Sequence, residues 1–370
     1  MERNKSMEAL RDLCYGSGKA FYGRRFSGRY QSRLERELAR IASMPGGADS
    51  FLRARTFIGG LKNSWVSHQY HKKCLYAEPR LTFRGPVLAG LTAYLCGITE
   101  YDPMQWGFYA WAFFQKAKTI EFNLDVTMEM YELMQDLGVK VPFGVTVRID
   151  MDQTLLEAAE SCGGTARRYN IETSAEDLKR IDRDIQLFFR QTVGKNDYSA
   201  LRYLCDYDES IVPDVVPVLS YLKEIDQLPA SLWELCKLNA FLHSTVRDCT
   251  RLQMLQAASE VYVYDSMIAC PEDVYEALVK KGCPKERAQW IARTVQNSQK
   301  RLLAQEKELL EEYCGHDYAQ MAAHTEHLFY RPQAFGKTVG TAEVMGWYVH
   351  EPETLRRAYD NSVEIWADLW

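Results

Sequence analysis

Only two stretches of this sequence alternate with the period of a β-strand; almost every other patterned stretch repeats with the period of a helix. In Thr119–Val126, Ile120, Phe122, Leu124 and Val126 share one face, while Glu121, Asn123 and Asp125 share the other. In Val145–Asp150, Val145, Val147 and Ile149 alternate with Thr146, Arg148 and Asp150. One apolar side and one polar side is what a half-buried sheet strand requires. The fold class that follows is α+β and predominantly helical, with one small mixed sheet.

The helical text surrounds these strands unevenly. Residues 7–22 and 29–43 read as amphipathic helices, the second placing Leu34, Leu38 and Ile41 on one face amid Arg33, Glu35, Arg36, Glu37 and Arg40. Met44-Pro45-Gly46-Gly47 stops it, and Asp49 or Ser50 is placed to cap the next helix. A further apolar helix is predicted from Val87 to Cys96, followed by breaks at Gly97 and Asp102-Pro103 and by the aromatic run Trp106–Phe114. That run reads as core packing or a lobe interface in preference to base stacking. From Leu155 onward nearly all the pattern is helical. The predicted organisation is a small α/β lobe at 1–153 and a helical lobe at 154–370, with no internal repeat.

Composition narrows the setting. A hydrophobic content of 46% supplies a core, and no apolar run reaches the 18 residues a membrane span needs. The N-terminus opens into charged helix, and ten cysteines are spread singly from Cys14 to Cys314 with no Cys-x-x-Cys pair. Reduced thiols and a cytoplasmic home, without a membrane partner, are the expectation. The net charge of −5 conceals an asymmetry: residues 1–84 hold 17 Lys/Arg against 7 Asp/Glu, and the remainder 28 against 43. Either the first quarter meets an anionic partner such as DNA, or its helices carry solvated charge.

Polar side chains at i and i+2 on a strand stand roughly 6.5–7 Å apart. With an Asp from a neighbouring strand, they make the kind of cluster that holds two Mg²⁺ ions about 3.5–4 Å apart on a phosphoryl group. The other reading is a plain exposed sheet face. Ser17-Gly18-Lys19 is no phosphate loop, since Leu13 stands where a glycine is required and Ala20 replaces Ser/Thr. His68, His71 and Cys74, and later Cys314, His316, His324 and His327, match no zinc-finger spacing and read as surface or core residues.

The segment Arg84-Gly85-Pro86-Val87-Leu88-Ala89-Gly90-Leu91-Thr92-Ala93-Tyr94-Leu95-Cys96-Gly97-Ile98-Thr99-Glu100-Tyr101-Asp102-Pro103 closely resembles a motif of the bacterial replicative C-family DNA polymerases. These are the DNA polymerase III alpha subunits, including the PolC type. Three further blocks resemble the same family in the same order. They are Leu10–Gly23 with Arg33–Leu38, Ile268–Val274 with Lys281-Gly282, and His327–Ala334 through Val349–Pro352. His243 sits where the family has the His of a Gly-Leu-Ser-His motif. The resemblance implies a palm-like lobe followed by a fingers-like lobe. It places Arg84, Gly85, His243, Arg331 and Gln333 at nucleotide- or DNA-binding positions.

The departures fall on the chemistry. Where the family's catalytic strand carries Asp-x-Asp, this chain has Glu121 and Asn123, and Asp150 matches the third acid. Asp125 stands at a non-catalytic position from which it would compensate. Pro86 replaces a serine that would offer a hydroxyl and an N–H, and Gln333 and Arg331 replace the family's His and Lys. An Asn amide offers one neutral oxygen and lacks the charge that makes Mg²⁺ shed water. No metal or other cofactor is therefore assigned, with Mg²⁺ implied only if activity survives. The resemblance implies a catalytically decayed polymerase homologue, a nucleic-acid-binding or replication-associated scaffold. The alternatives are residual metal-dependent nucleotidyl transfer and a protein-interaction module without nucleic-acid affinity.

Overall fold

A computed structural model describes residues 2–71, 81–114, 120–165, 168–205, 210–258, 262–296 and 304–367. The chain divides into two compact units, 1–157 and 158–370. It is a predominantly helical α+β protein.

Unit 1 opens with three helices, α1 (Glu2–Tyr22), α2 (Arg29–Ala42) and α3 (Gly47–His71). The apolar stripe of α2 buries Leu34, Leu38 and Ile41, as its periodicity requires. α3 starts earlier than the Asp49 or Ser50 cap would place it. Gly46 turns at φ +66°, and a side chain at Gly47 would strike the Ile41 carbonyl at 2.4 Å. Only glycine allows the two helices to meet so closely.

The predicted helix Val87–Cys96 is instead two pieces, a 3₁₀ turn at Pro86–Ala89 and the short helix α4 (Leu91–Leu95). Gly90 separates them in an extended conformation, where a Cβ would press on the Phe113 ring at 3.0 Å. α5 (Ala110–Phe113) follows, then β2 (Phe122–Val126), α6 (Met128–Asp136), β3 (Val145–Ile149) and α7 (Met151–Ser161). A strand that the alternation does not reveal, β1 (Thr82–Arg84), completes a sheet of order β1-β2-β3. Three residues are too few to display a period. β1 runs antiparallel to β2, and β2 parallel to β3 through the α6 crossover.

Phe83, Phe122, Leu124 and Val126 enter one core with Leu10, Leu38, Phe51, Trp65 and Met130. Within the aromatic run, Phe108 is buried and Phe113 packs edge-on against Phe51, so these two rings serve the core. The thiols of Cys14 and Cys96 touch in the same interior, 3.7 Å apart. Nine cysteines among the described residues are free, six of them buried.

Unit 2 runs α8 (Ala175–Gln191), α9 (Val212–Glu224), α10 (Leu232–His243), β4 (Thr245–Val246), α11 (Arg251–Ala258), α12 (Val263–Ser266) and α13 (Pro271–Lys280). It continues with α14 (Lys285–Gln296), α15 (Ala304–Cys314), α16 (His316–His324), β5 (Thr325–His327), α17 (Arg331–His350) and α18 (Pro352–Ala367). The long α17 is buried over most of its circumference, as a central helix must be. β4 and β5 form a two-stranded antiparallel ribbon. No helix among the described residues is long and apolar enough to cross a membrane.

Candidate functional site

The sheet register fixes which polar groups share a surface. Thr82 pairs with Asp125, Arg84 with Asn123, and Asp125 with Arg148. Residues paired across strands project to the same side. Asn123, Asp125, Thr82, Arg148 and, two residues further along β3, Asp150 therefore lie on the face opposite the core. Glu121 precedes β2 and is exposed. The structure thus gathers Asn123, Asp125 and Asp150 on one side of the sheet, while Glu121 lies outside the paired strands, beyond the end of the sheet away from Asp150.

Their states differ. Asn123 is half-buried, whereas Asp125 is 1% and Asp150 6% exposed. The Asp150 N–H donates to the Val126 carbonyl at 2.7 Å, tying the end of β3 to the end of β2. Its Oδ1 accepts from the Gln153 N–H at 3.2 Å, and Thr82 Oγ1 donates to its Oδ2 at 3.4 Å. Asp150 is therefore an N-cap: it begins α7 by satisfying an orphan amide of the first turn. Gly85 stands beside Asn123, since a Cβ built on it would lie 3.8 Å from Asn123 Nδ2. Its backbone, at φ +109° and ψ −174°, occupies a region that glycine almost alone populates. The side chain of Arg84 lies outside the described residues.

This donor set does not fit a pair of Mg²⁺ ions. Asn123 is neutral, and the Asp150 carboxylate already accepts hydrogen bonds on both oxygens. Among the described residues no three of His, Cys, Asp and Glu are placed to hold a metal. His68 faces Glu129 at 3.4 Å, while the side chain of His71 and all of Cys74 lie outside the described residues. His316 bonds Glu311, and His324 bonds the Arg247 carbonyl.

The turn after β1 is held from within. Glu37, fully buried on α2, accepts from the Leu91 N–H at 3.2 Å, the Thr92 N–H at 2.8 Å and the Thr92 hydroxyl at 3.0 Å. Arg33 pairs with Glu37 at 2.5 Å and donates to the carbonyls of Ala89 and Phe108. The amides that open α4 thus already face an anion of the protein itself. Sequence reasoning missed Glu37 as a site-shaping residue. A signal existed, because positions 34, 37, 38 and 41 form one helical stripe and a carboxylate interrupts it.

In unit 2, Arg331 lies at the first turn of α17 and is 7% exposed. Its guanidinium pairs with Asp273 at 2.9 Å and with Glu276 at 2.6 Å, and it lies 5.2 Å from the centre of the Trp233 ring. Burial pushes the Asp273 carboxyl up, but Lys237 and Arg331 beside it outweigh that effect and hold it below the ordinary range. Half-exposed Gln333 sits two residues on. His243 ends α10, with Nδ1 against the Asn239 carbonyl at 2.8 Å and Nε2 facing the Lys337 ammonium at 2.6 Å. That pairing sets Nδ1 as the donor and Nε2 as the acceptor. Lys337 escaped the sequence reading; it shares a helical face with Gln333, four residues apart.

Glu272 gives unit 2 a pH signature. It is fully buried, its Oε2 accepts from the Arg331 N–H, and Oε1 has no hydrogen-bond partner among the described residues. Burial pushes its carboxyl up to about 7, although nearby Arg331 opposes the shift. Between the unfolded value near 4.5 and about 7 the folded chain holds a proton that the unfolded chain has lost. Stability therefore falls as pH rises through that window, by about 1.4 kcal/mol per pH unit. Urea unfolding from pH 4.5 to 8 should show Glu272→Gln gaining on the wild type across this range and running parallel to it above. A difference that stays flat throughout would contradict the assignment. No protein-family model matches the chain, and no curated protein sequence does.

Proposed function

We propose that this chain is a nucleic-acid-binding relative of the C-family polymerases whose two-metal centre no longer works. The observation that carries the reading is the polar sheet face. Asn123 and Asp125 share one sheet face with Thr82 and Arg148, Asp150 joins it through its contact with Thr82, and the Arg84-Gly85 turn lies beside Asn123. Asp125 and Asp150 there are buried, Asp150 caps a helix, and the residue at one of the family's acid positions, Asn123, is an amide. Phosphoryl transfer depends on positioning and charge neutralisation, so loss of an anionic metal ligand strikes the step itself.

Binding is assigned to the N-terminal helices on charge. Unit 1 carries 21 Lys/Arg against 17 Asp/Glu, and unit 2 carries 24 against 33. The positive excess of unit 1 lies wholly in residues 1–84, which hold 17 cationic and 7 anionic side chains.

The test combines two measurements on the full chain. Anisotropy with a labelled primer–template should show binding whose affinity falls steeply with added salt, as phosphate contacts require. Primer extension at high protein, with Mg²⁺ or Mn²⁺, should give no product. Extension that Asp150→Asn abolishes would overturn the non-catalytic reading, and absent binding at low salt would leave a protein-interaction role.

A further inference from the structure

The geometry points to a binding site for single-stranded nucleic acid at the corner where α1 turns into α2, an inference that rests on the nucleic-acid reading above. From residue 13 to residue 34 the chain has five cationic side chains, Lys19, Arg24, Arg25, Arg29 and Arg33, and no Asp or Glu. The structure sorts these cations. Arg33 is committed to Glu37, and Arg11 of the preceding turns to Glu35 at 2.6 Å. Lys19, Arg24, Arg25 and Arg29 are exposed, and none of the four forms an ion pair among the described residues. Arg24 and Arg25 lie within one tight turn, the 3₁₀ segment Gly23–Arg25 between the two helices, with Lys19 before it and Arg29 at the start of α2. Unneutralised positive charge concentrated in this way attracts a phosphodiester chain.

Charge alone does not choose between a duplex and a strand; the aromatic side chains do. Phe21 is 53% exposed and lies 5.6 Å, centre to centre, from the Tyr94 ring. Tyr22 and Tyr30, both half-buried, are 4.3 Å apart on the same corner. An open phenyl ring three residues before Arg24 offers a flat surface to any base that is not already stacked. In a duplex the base faces are buried against one another and only phosphates reach such a corner. A single strand uses both elements, with its backbone on Arg24, Arg25, Arg29 and Lys19 and a base on Phe21. Sequence-tolerant binding follows, because every base has a π face.

Anisotropy with a labelled oligothymidylate and with a duplex of equal length, across a salt series, tests this on the full chain. The single strand should bind more tightly. Phe21→Ala should lower its affinity about tenfold while leaving duplex affinity unchanged, and Phe21→Trp should restore it. The double variant Arg24→Gln with Arg25→Gln should weaken both probes and reduce the single-strand salt slope by about 1.4. Salt-sensitive binding that Phe21→Ala leaves untouched would overturn the stacking site while sparing the broader reading. Competition by polyglutamate as effective as that by unlabelled oligothymidylate would overturn it too, because polyglutamate has no bases. If neither probe binds, both readings fall together.

Discussion

Replacing Arg331 with leucine is expected to destabilise unit 2 by about 3–5 kcal/mol, the range seen when one partner of a buried ion pair is deleted. The guanidinium is nearly inaccessible and serves Asp273 and Glu276 together, while its own N–H serves Glu272. Without it, the buried Glu272 and Asp273 share the first turn of α13 with no guanidinium against them, and Lys237, 3.3 Å from Asp273, is left as their neighbouring cation. Like charges packed out of water repel strongly. Urea unfolding followed by tryptophan fluorescence reports the loss, because Trp233 sits under the same guanidinium. Glu276→Gln is the control and should cost well under 1 kcal/mol, since the Glu276 side chain is 42% exposed and its pairing is partly screened. A wild-type-like Arg331→Leu protein would free this arginine for the phosphate contact that the family resemblance implies.

Glu37→Ala should be the most damaging single change in unit 1, again about 3–5 kcal/mol. One carboxylate neutralises Arg33, accepts from two backbone amides and a hydroxyl, and is sealed from solvent. Alanine leaves all of those donors unsatisfied, and a buried donor without a partner costs about 1–3 kcal/mol even when neutral. Glu37→Gln keeps an acceptor oxygen and should lose less. Urea unfolding of both variants, with hydrogen exchange at the Leu91 and Thr92 amides, checks the mechanism. Exchange unchanged in Glu37→Ala would show that the carboxylate does not hold the turn.

How much of this was legible in the sequence depended on how far apart the cooperating residues lie. Periodicity alone located α2 and both long strands of the sheet, because a half-buried element writes its exposure into alternate or every third and fourth residue. β1 was invisible for want of length. The helix at 87–96 came out in two pieces because Gly90 answers to Phe113, a contact across 23 residues that no local pattern encodes. The polar face of the sheet followed from strand alternation. That Asp150 begins a helix, and that Glu37 sits against the turn after β1, are consequences of pairing and packing. The paired state of Arg331 is of the same kind: its partners lie 55 and 58 residues upstream.

The sheet also sets a timetable for synthesis. α1, α2 and α3 are finished by residue 71, yet Leu34, Leu38 and Phe51 share their core with β2, and β2 has its parallel neighbour only once residue 149 has been made. At about 5–20 residues per second, a ribosome holds those greasy flanks uncovered for several seconds after the helices are complete. Any nascent chain shorter than the third strand is thus a set of sticky rods without a floor, and a natural client for a holding chaperone.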